Sequence, residues 1–154
     1  MVVLRYFNFY GPRMDQLDRG RVIRRFLGPL LRGEPLTVIG DGQQTRCFSY
    51  VEDAIRATVA AGLTEAAVGE VVNIGSAEEV SIKALAELMI RLAGSRSPLT
   101  FVPQADVYGP GYEDIRRRVP SIRKMQELLG VEPQVPLAEG LRRTIAWCRQ
   151  AVRA

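Results

Sequence analysis

A chain of 154 residues, 47% hydrophobic and 25% charged, is long enough for one domain with a real core, and no run approaches the roughly 20 apolar residues that cross a bilayer. It contains no histidine, which excludes Ser-His-Asp and Cys-His catalysis and most zinc sites and leaves proton transfer to Tyr, Lys, Asp, Glu, Cys or water; no metal ligand set is expected. A formal charge of +4 suits a pocket for a small phosphorylated anion, whereas a nucleic-acid reader would carry a dense basic stripe with stacking aromatics, and here the one tight run is Arg116-Arg117-Arg118.

The first residues, Met1-Val2-Val3-Leu4-Arg5-Tyr6, lack the basic-then-apolar pattern of a secretory signal, so a cytoplasmic protein is expected. Val2 to Phe7 is rich in β-formers and nearly continuous in apolar character, the pattern of a parallel strand covered on both faces. It ends at Asn8, before a loop at Tyr10-Gly11-Pro12-Arg13. Residues 21–32 read as a helix with Val22, Ile23, Phe26, Leu27, Leu30 and Leu31 on one side; Pro29 is expected to kink or split it, and Gly33 to stop it. Leu36-Thr37-Val38-Ile39 is a short strand, residues 40–44 a turn, and residues 45–50 an extended segment. Glu52 and Asp53 open a helix that ends near Gly62, and residues 71–75 form another buried strand. Ser81 caps a helix that runs to Ala93 and stops at Gly94, and Leu99 to Val102 is a strand. Residues 103–118 read as a long polar loop of the kind that carries function. Helices over 121–129 and from Leu137 to about Val152 complete an α/β protein.

Such a first strand needs sheet neighbours on its edges and helices above and below, and few candidates exist in these residues. The sequence therefore reads as a piece of a larger sheet. Neither Gly40-Asp41-Gly42 nor Gly109-Pro110-Gly111 has the spacing of a phosphate-cradling fingerprint, so both read as tight turns. Arg13, Arg21, Arg46 and Arg118 stand at loop ends, where a guanidinium fork can hold phosphate oxygens, and Asn8 stands at the C-terminal end of a strand, where ligands bind in parallel sheets. Cys47 and Cys148, far apart, read as reduced, mostly buried thiols.

The segment Arg5-Tyr6-Phe7-Asn8-Phe9-Tyr10-Gly11-Pro12-Arg13 resembles the Arg-x-Phe-Asn-x-Tyr-Gly-Pro-Arg stretch of extended short-chain dehydrogenases/reductases that act on nucleotide sugars, the NAD-dependent epimerase/dehydratase family. The stretch from Gly33 through Gly40-Asp41-Gly42-Gln43-Gln44-Thr45-Arg46-Cys47-Phe48 resembles their next signature. So do Val72-Asn73-Ile74-Gly75, residues 111–121 and Leu128-Leu129-Gly130-Val131-Glu132-Pro133. The resemblance covers essentially the whole chain in order, and within the family it is strongest to the UDP-glucuronic acid decarboxylases, with 4-epimerases and 4,6-dehydratases as rivals.

The resemblance implies the C-terminal part of a Rossmann-type fold, mostly the small substrate-binding domain, without the N-terminal dinucleotide-binding half: one substrate-binding region over 1–154, in which residues 1–12 and about 68–76 are expected to complete a Rossmann sheet whose remainder lies elsewhere. It implies that Asn8 bonds the substrate diphosphate, and that Arg21 and Arg46 lie near the diphosphate and nucleoside. It implies that Thr37, Val38 and Ile39 present the strand against which uracil lies, with Gln44 on the substrate side. Tyr112 matches a substrate-contacting tyrosine, Arg118 a cation near the phosphates and a candidate proton donor, and Phe7 a residue that packs against the nicotinamide of NAD. Ser121 replaces an aspartate common in epimerases, which favours decarboxylation. In the family a Tyr-x-x-x-Lys pair takes the proton from the sugar C4 hydroxyl while NAD takes the hydride; no tyrosine in these 154 residues has a lysine four positions on, and no glycine-rich NAD loop is present. These residues alone are therefore expected to bind a UDP-sugar without turning it over or holding NAD. The alternatives are a non-catalytic nucleotide-sugar module, a half enzyme that pairs with a separate Rossmann-half chain, and a homo-oligomerising structural remnant.

Overall fold

The computed structural model describes residues 1–14 and 20–151. In chain order the elements are β1 (Val3–Tyr6), β2 (Phe9–Tyr10), α1 (Val22–Arg32), β3 (Leu36–Ile39), β4 (Thr45–Cys47), β5 (Ser49–Tyr50), α2 (Val51–Leu63), β6 (Val71–Ile74), β7 (Glu79–Ser81), α3 (Ile82–Ala93), β8 (Leu99–Val102), α4 (Gln104–Tyr108), β9 (Arg117–Arg118), α5 (Arg123–Leu129) and α6 (Leu137–Ala151). The α/β expectation holds, and the strands form four small sheets. β1 pairs with β6, β2 with β5, β3 with β8 and β4 with β9, all in parallel; only β7 runs antiparallel to its neighbour β4.

Two apolar cores hold these ladders. The larger is built where α1 and α3 cover β3 and α6 packs on both helices, from Ile23, Phe26, Leu27, Leu30, Leu36, Val38, Leu85, Met89, Leu141 and Ile145. The smaller lies between β6, α2 and α5, from Ala57, Ala61, Val72, Ile74, Ile122, Met125 and Leu129. α3 behaves as its sequence dictates: Ser81 Oγ accepts from the Ala84 amide at 3.1 Å, and Gly94 closes the helix at φ 62°.

Four expectations are corrected. Pro29 does not split α1, which runs unbroken to Arg32 before Gly33 caps it at φ 73°. A helical proline costs about 3 kcal/mol, and burying Phe26, Leu27 and Leu30, each contributing about 1.5–3 kcal/mol, outweighs it. The extended segment 45–50 is two strands, β4 and β5, that break at Phe48 and pair with different partners. Residues 103–118 are not one loop but carry α4 and β9. β1 is parallel as expected but not covered on both faces: Val3 and Tyr6 are exposed, and among the described residues its edge opposite β6 carries no strand. The stretch 15–19 between Arg13 and Arg21, and the last residue of the expected final helix, Val152, lie outside the described residues.

Candidate functional site

The chain leaves β1 through Asn8, whose backbone sits at φ 47°, a left-handed conformation that asparagine tolerates better than other side-chain-bearing residues. That turn aims the amide between two strands. Nδ2 donates to the Cys47 carbonyl at 2.8 Å, and Oδ1 accepts from Arg118 Nη2 at 3.3 Å. A carbonyl can only accept and a guanidinium can only donate, so the amide orientation is forced. β4 and β9 lie in a register that sets Arg46 beside Arg118.

Asn8 and Arg118 share a cleft of ≈ 270 Å³ with Arg21, Arg25, Arg46 and Asp114. Its remaining walls come from Thr37 and Ile39 of β3, from Gln44 and Phe48, and from Tyr108 and Tyr112. Those two tyrosines lie with ring centroids 4.4 Å apart at the cleft wall. The first turn of α1 opens onto the same space. It has no side-chain cap on Arg21 and no acidic residue, so its positive dipole end and the arginines at 21 and 25 add to one field.

Gln44 is 6% exposed, yet it lines the cleft. Its Nε2 donates to the Ile39 carbonyl at 3.0 Å, which fixes the amide, while Oε1 is buried with no partner among the described residues. A buried acceptor of this kind costs free energy until a donor meets it. Arg46 is also only 6% exposed and is heavily engaged by the protein itself: Nη1 donates to the carbonyls of Thr45 and Ile115, both at 2.7 Å, and Nη2 to both carboxylate oxygens of Asp114 at 2.8 Å.

Of the residues singled out from sequence, Asn8, Arg21, Thr37, Ile39, Gln44, Arg46, Tyr112 and Arg118 line one cleft. Val38 does not; strand alternation turns its side chain fully into the larger core, so only its backbone can face a ligand on β3. Phe7 also lies off the cleft, half-buried beside Gly75 and Pro120 with the Arg5 guanidinium 5.9 Å from its ring centre. Sequence reasoning missed Asp114, Arg25 and Tyr108; an acid beside an arginine run gave no hint that its partner stood at position 46. Phe7 offers an apolar face of the kind a nicotinamide packs on. No described strand-to-helix turn, however, has the Gly-x-Gly-x-x-Gly spacing that cradles a dinucleotide pyrophosphate.

Cys47 lies beside this site and is buried, and that burial, reinforced by Glu79, pushes its thiol up to about 11. At pH 8 it is neutral and inaccessible, so both thiols of the folded chain should resist a disulfide reagent and react at once in denaturant. Rapid native labelling of Cys47 would contradict this packing.

The sequence profile described as the NAD dependent epimerase/dehydratase family matches residues 1–75. The chain is 43% identical over 150 residues to UDP-N-acetyl-alpha-D-glucosaminuronate decarboxylase from Bacillus cytotoxicus, covering 97% of this chain and 46% of that protein. It is 45% identical over 148 residues to UDP-glucuronic acid decarboxylase 1 from Xenopus tropicalis, covering 96% of this chain and 33% of that one. Among solved structures, the UDP-glucuronic acid 4-epimerase of Bacillus cereus in complex with UDP-glucuronic acid and NAD superposes with a TM-score of 0.83 at 35% identity, over 97% of this chain and 45% of its own. The chain thus spans less than half the length of each of these proteins.

Proposed function

Because the chain belongs to the NAD-dependent epimerase/dehydratase family, we propose that its cleft holds the nucleoside diphosphate of a UDP-sugar. The observation that carries this reading is the convergence of the arginine-flanked start of α1 with the Asn8–Arg118 pair on one cleft. A diphosphate has several negative oxygens and no donor. It matches backbone N–H groups at a helix start and guanidinium forks on the facing wall. The remaining lining sorts itself around that anchor. Ile39 and the backbone of β3 give a floor for a flat base. Gln44 Oε1 accepts from a nucleoside N–H or hydroxyl, and Tyr112 lies toward the sugar.

In the whole protein we assign these residues to a nucleotide-sugar decarboxylase, with 4-epimerisation and 4,6-dehydration as rival outcomes; the names of the two relatives favour decarboxylation. Bound NAD would supply a reversible hydride acceptor there, with Phe7 as this chain's contribution to its packing. Arg118 would stabilise, or return a proton to, the sugar-phosphate end. The 154 residues by themselves carry no Tyr-x-x-x-Lys pair and are proposed to be catalytically silent.

The exposed edge of β1 adds a second element. Ile55, Val59 and Leu63 recur every four residues as an exposed stripe on α2, and Tyr6 Oη lies 2.8 Å from Thr58 Oγ1, which joins that stripe to the strand. We read this face as the place where residues 1–12 and about 68–76 meet the rest of a Rossmann sheet, supplied by further chain or by a separate partner. A second copy of this chain is the rival occupant.

Titrating UDP and uridine into the 154-residue chain tests the site. UDP should bind at one site per chain, at least about tenfold tighter than uridine, as expected when charged hydrogen bonds to the diphosphate are added. Its affinity should fall with salt and should not respond to NAD. Equal affinity for UDP and uridine would remove the diphosphate subsite from this cleft.

A further inference from the structure

Resting on that nucleotide reading, we propose that Asp114 is a positioning residue that sets Arg118 at the cleft by way of Arg46. Both terminal nitrogens of Arg46 are engaged by the protein: Nη1 donates to the Thr45 and Ile115 carbonyls, and Nη2 is shared between the two Asp114 oxygens. Most of its donor capacity faces the protein and not the cleft. Arg46 therefore works chiefly as a staple. It fastens the segment just before β9 onto β4, and the Thr45 amide adds a bond to the Arg116 carbonyl at 2.8 Å.

β9 is two residues long, too short to hold its own place in a sheet. Its register beside β4, and with it the approach of Arg118 to Asn8, depends on residues 114–116 being anchored. Asp114 supplies the least exposed ion pair of that anchor, beside the more exposed Arg116–Asp41 and Arg117–Glu79 pairs. It also neutralises Arg46, whose positive charge would otherwise stand beside Arg118 on the neighbouring strand. Removing the carboxylate loosens the segment and turns two adjacent guanidinium groups against each other.

A double-mutant cycle of Asp114→Ala and Arg118→Ala, read as UDP affinity of the 154-residue chain, separates positioning from a general structural role. Each single change should weaken UDP by about tenfold, and the double variant should be no weaker than Arg118→Ala alone, because contacts that act as a unit are not additive. Asp114→Glu should restore part of the loss. Additive losses would overturn the proposal. Limited trypsin digestion supplies an independent arm, with cleavage after Arg116, Arg117 or Arg118 faster in Asp114→Ala than in the parent chain. Unchanged cleavage would also overturn it. Faster cleavage in a chain that binds no UDP would support the staple and count against the nucleotide reading. Asp114→Asn, which keeps the shape and one acceptor, serves the same cycle if the alanine variant does not fold.

Discussion

Asp53→Ala should destabilise the chain by about 3 kcal/mol, the cost of stranding donors that had been bonded to a charged group. Asp53 is buried at the start of α2, and its two oxygens accept separately from the Gln134 and Val135 amides, both at 3.2 Å. Arg56 Nη2 adds a third bond to the same carboxylate at 2.5 Å. Arg56 is more than a third exposed and can return to water, so its loss contributes little. The two backbone amides cannot, because they belong to the segment that leads into α6. At this chain length the melting temperature should fall by roughly 6–12 °C. Asp53→Asn keeps one acceptor and should lose about half as much. A melting curve for Asp53→Ala within a degree of the parent would show that 134–135 is held by other contacts.

Gly140→Ala should cost about 2 kcal/mol, although alanine is the better helix former by about 1 kcal/mol. α6 rests directly on two tyrosines. A Cβ at position 140 would stand 2.2 Å from Tyr10 Oη and 2.9 Å from both Tyr10 Cζ and Tyr50 Cδ2. Neither ring can yield: Tyr10 is 2% and Tyr50 3% exposed, the pair meets edge to face at 5.8 Å, and Tyr10 Oη donates to the Leu137 carbonyl at 3.2 Å. The same change at Gly62 of α2 meets nothing within 4 Å and should stabilise by about 0.5–1 kcal/mol. Opposite signs for one substitution in two helices, read by urea denaturation, would confirm that α6 packs at glycine distance. A Gly140→Ala chain as stable as Gly62→Ala would refute it.

Legibility in the sequence followed the range of the physics. α3 was readable end to end because its cap, its apolar spacing and its stop all lie within 14 residues of one another, from Ser81 to Gly94. β2, β7 and β9 were not, since strands of two or three residues carry no period and exist only through distant partners. Pro29 was overweighted because a local propensity was set against a burial that only the assembled core reveals. At the site, the resemblance named residues most of which gather in one cleft, Val38 and Phe7 excepted, but it named them one at a time. That Arg46 is bound to Asp114, and that Gln44 keeps an acceptor unmet among the described residues, are facts about neighbours in space. No stretch of sequence spells them out.

The strand register has a further consequence, for the speed of folding. Residues 9–10 pair with 49–50, residues 3–6 with 71–74, residues 36–39 with 99–102 and residues 45–46 with 117–118. Every parallel ladder therefore closes a loop of about 40 residues or more before it gains its first bond, and each closure spends chain entropy in advance of the contacts that reward it. No two-residue hairpin exists among the described residues to serve as a fast seed. The helices, whose bonds are local, must carry the early stage, and the sheets that build the cleft are the last parts to be earned. Any ligand that bridges α1, β3 and β9 would act on that late, slow step, holding together ends that the chain itself brings close only at the finish.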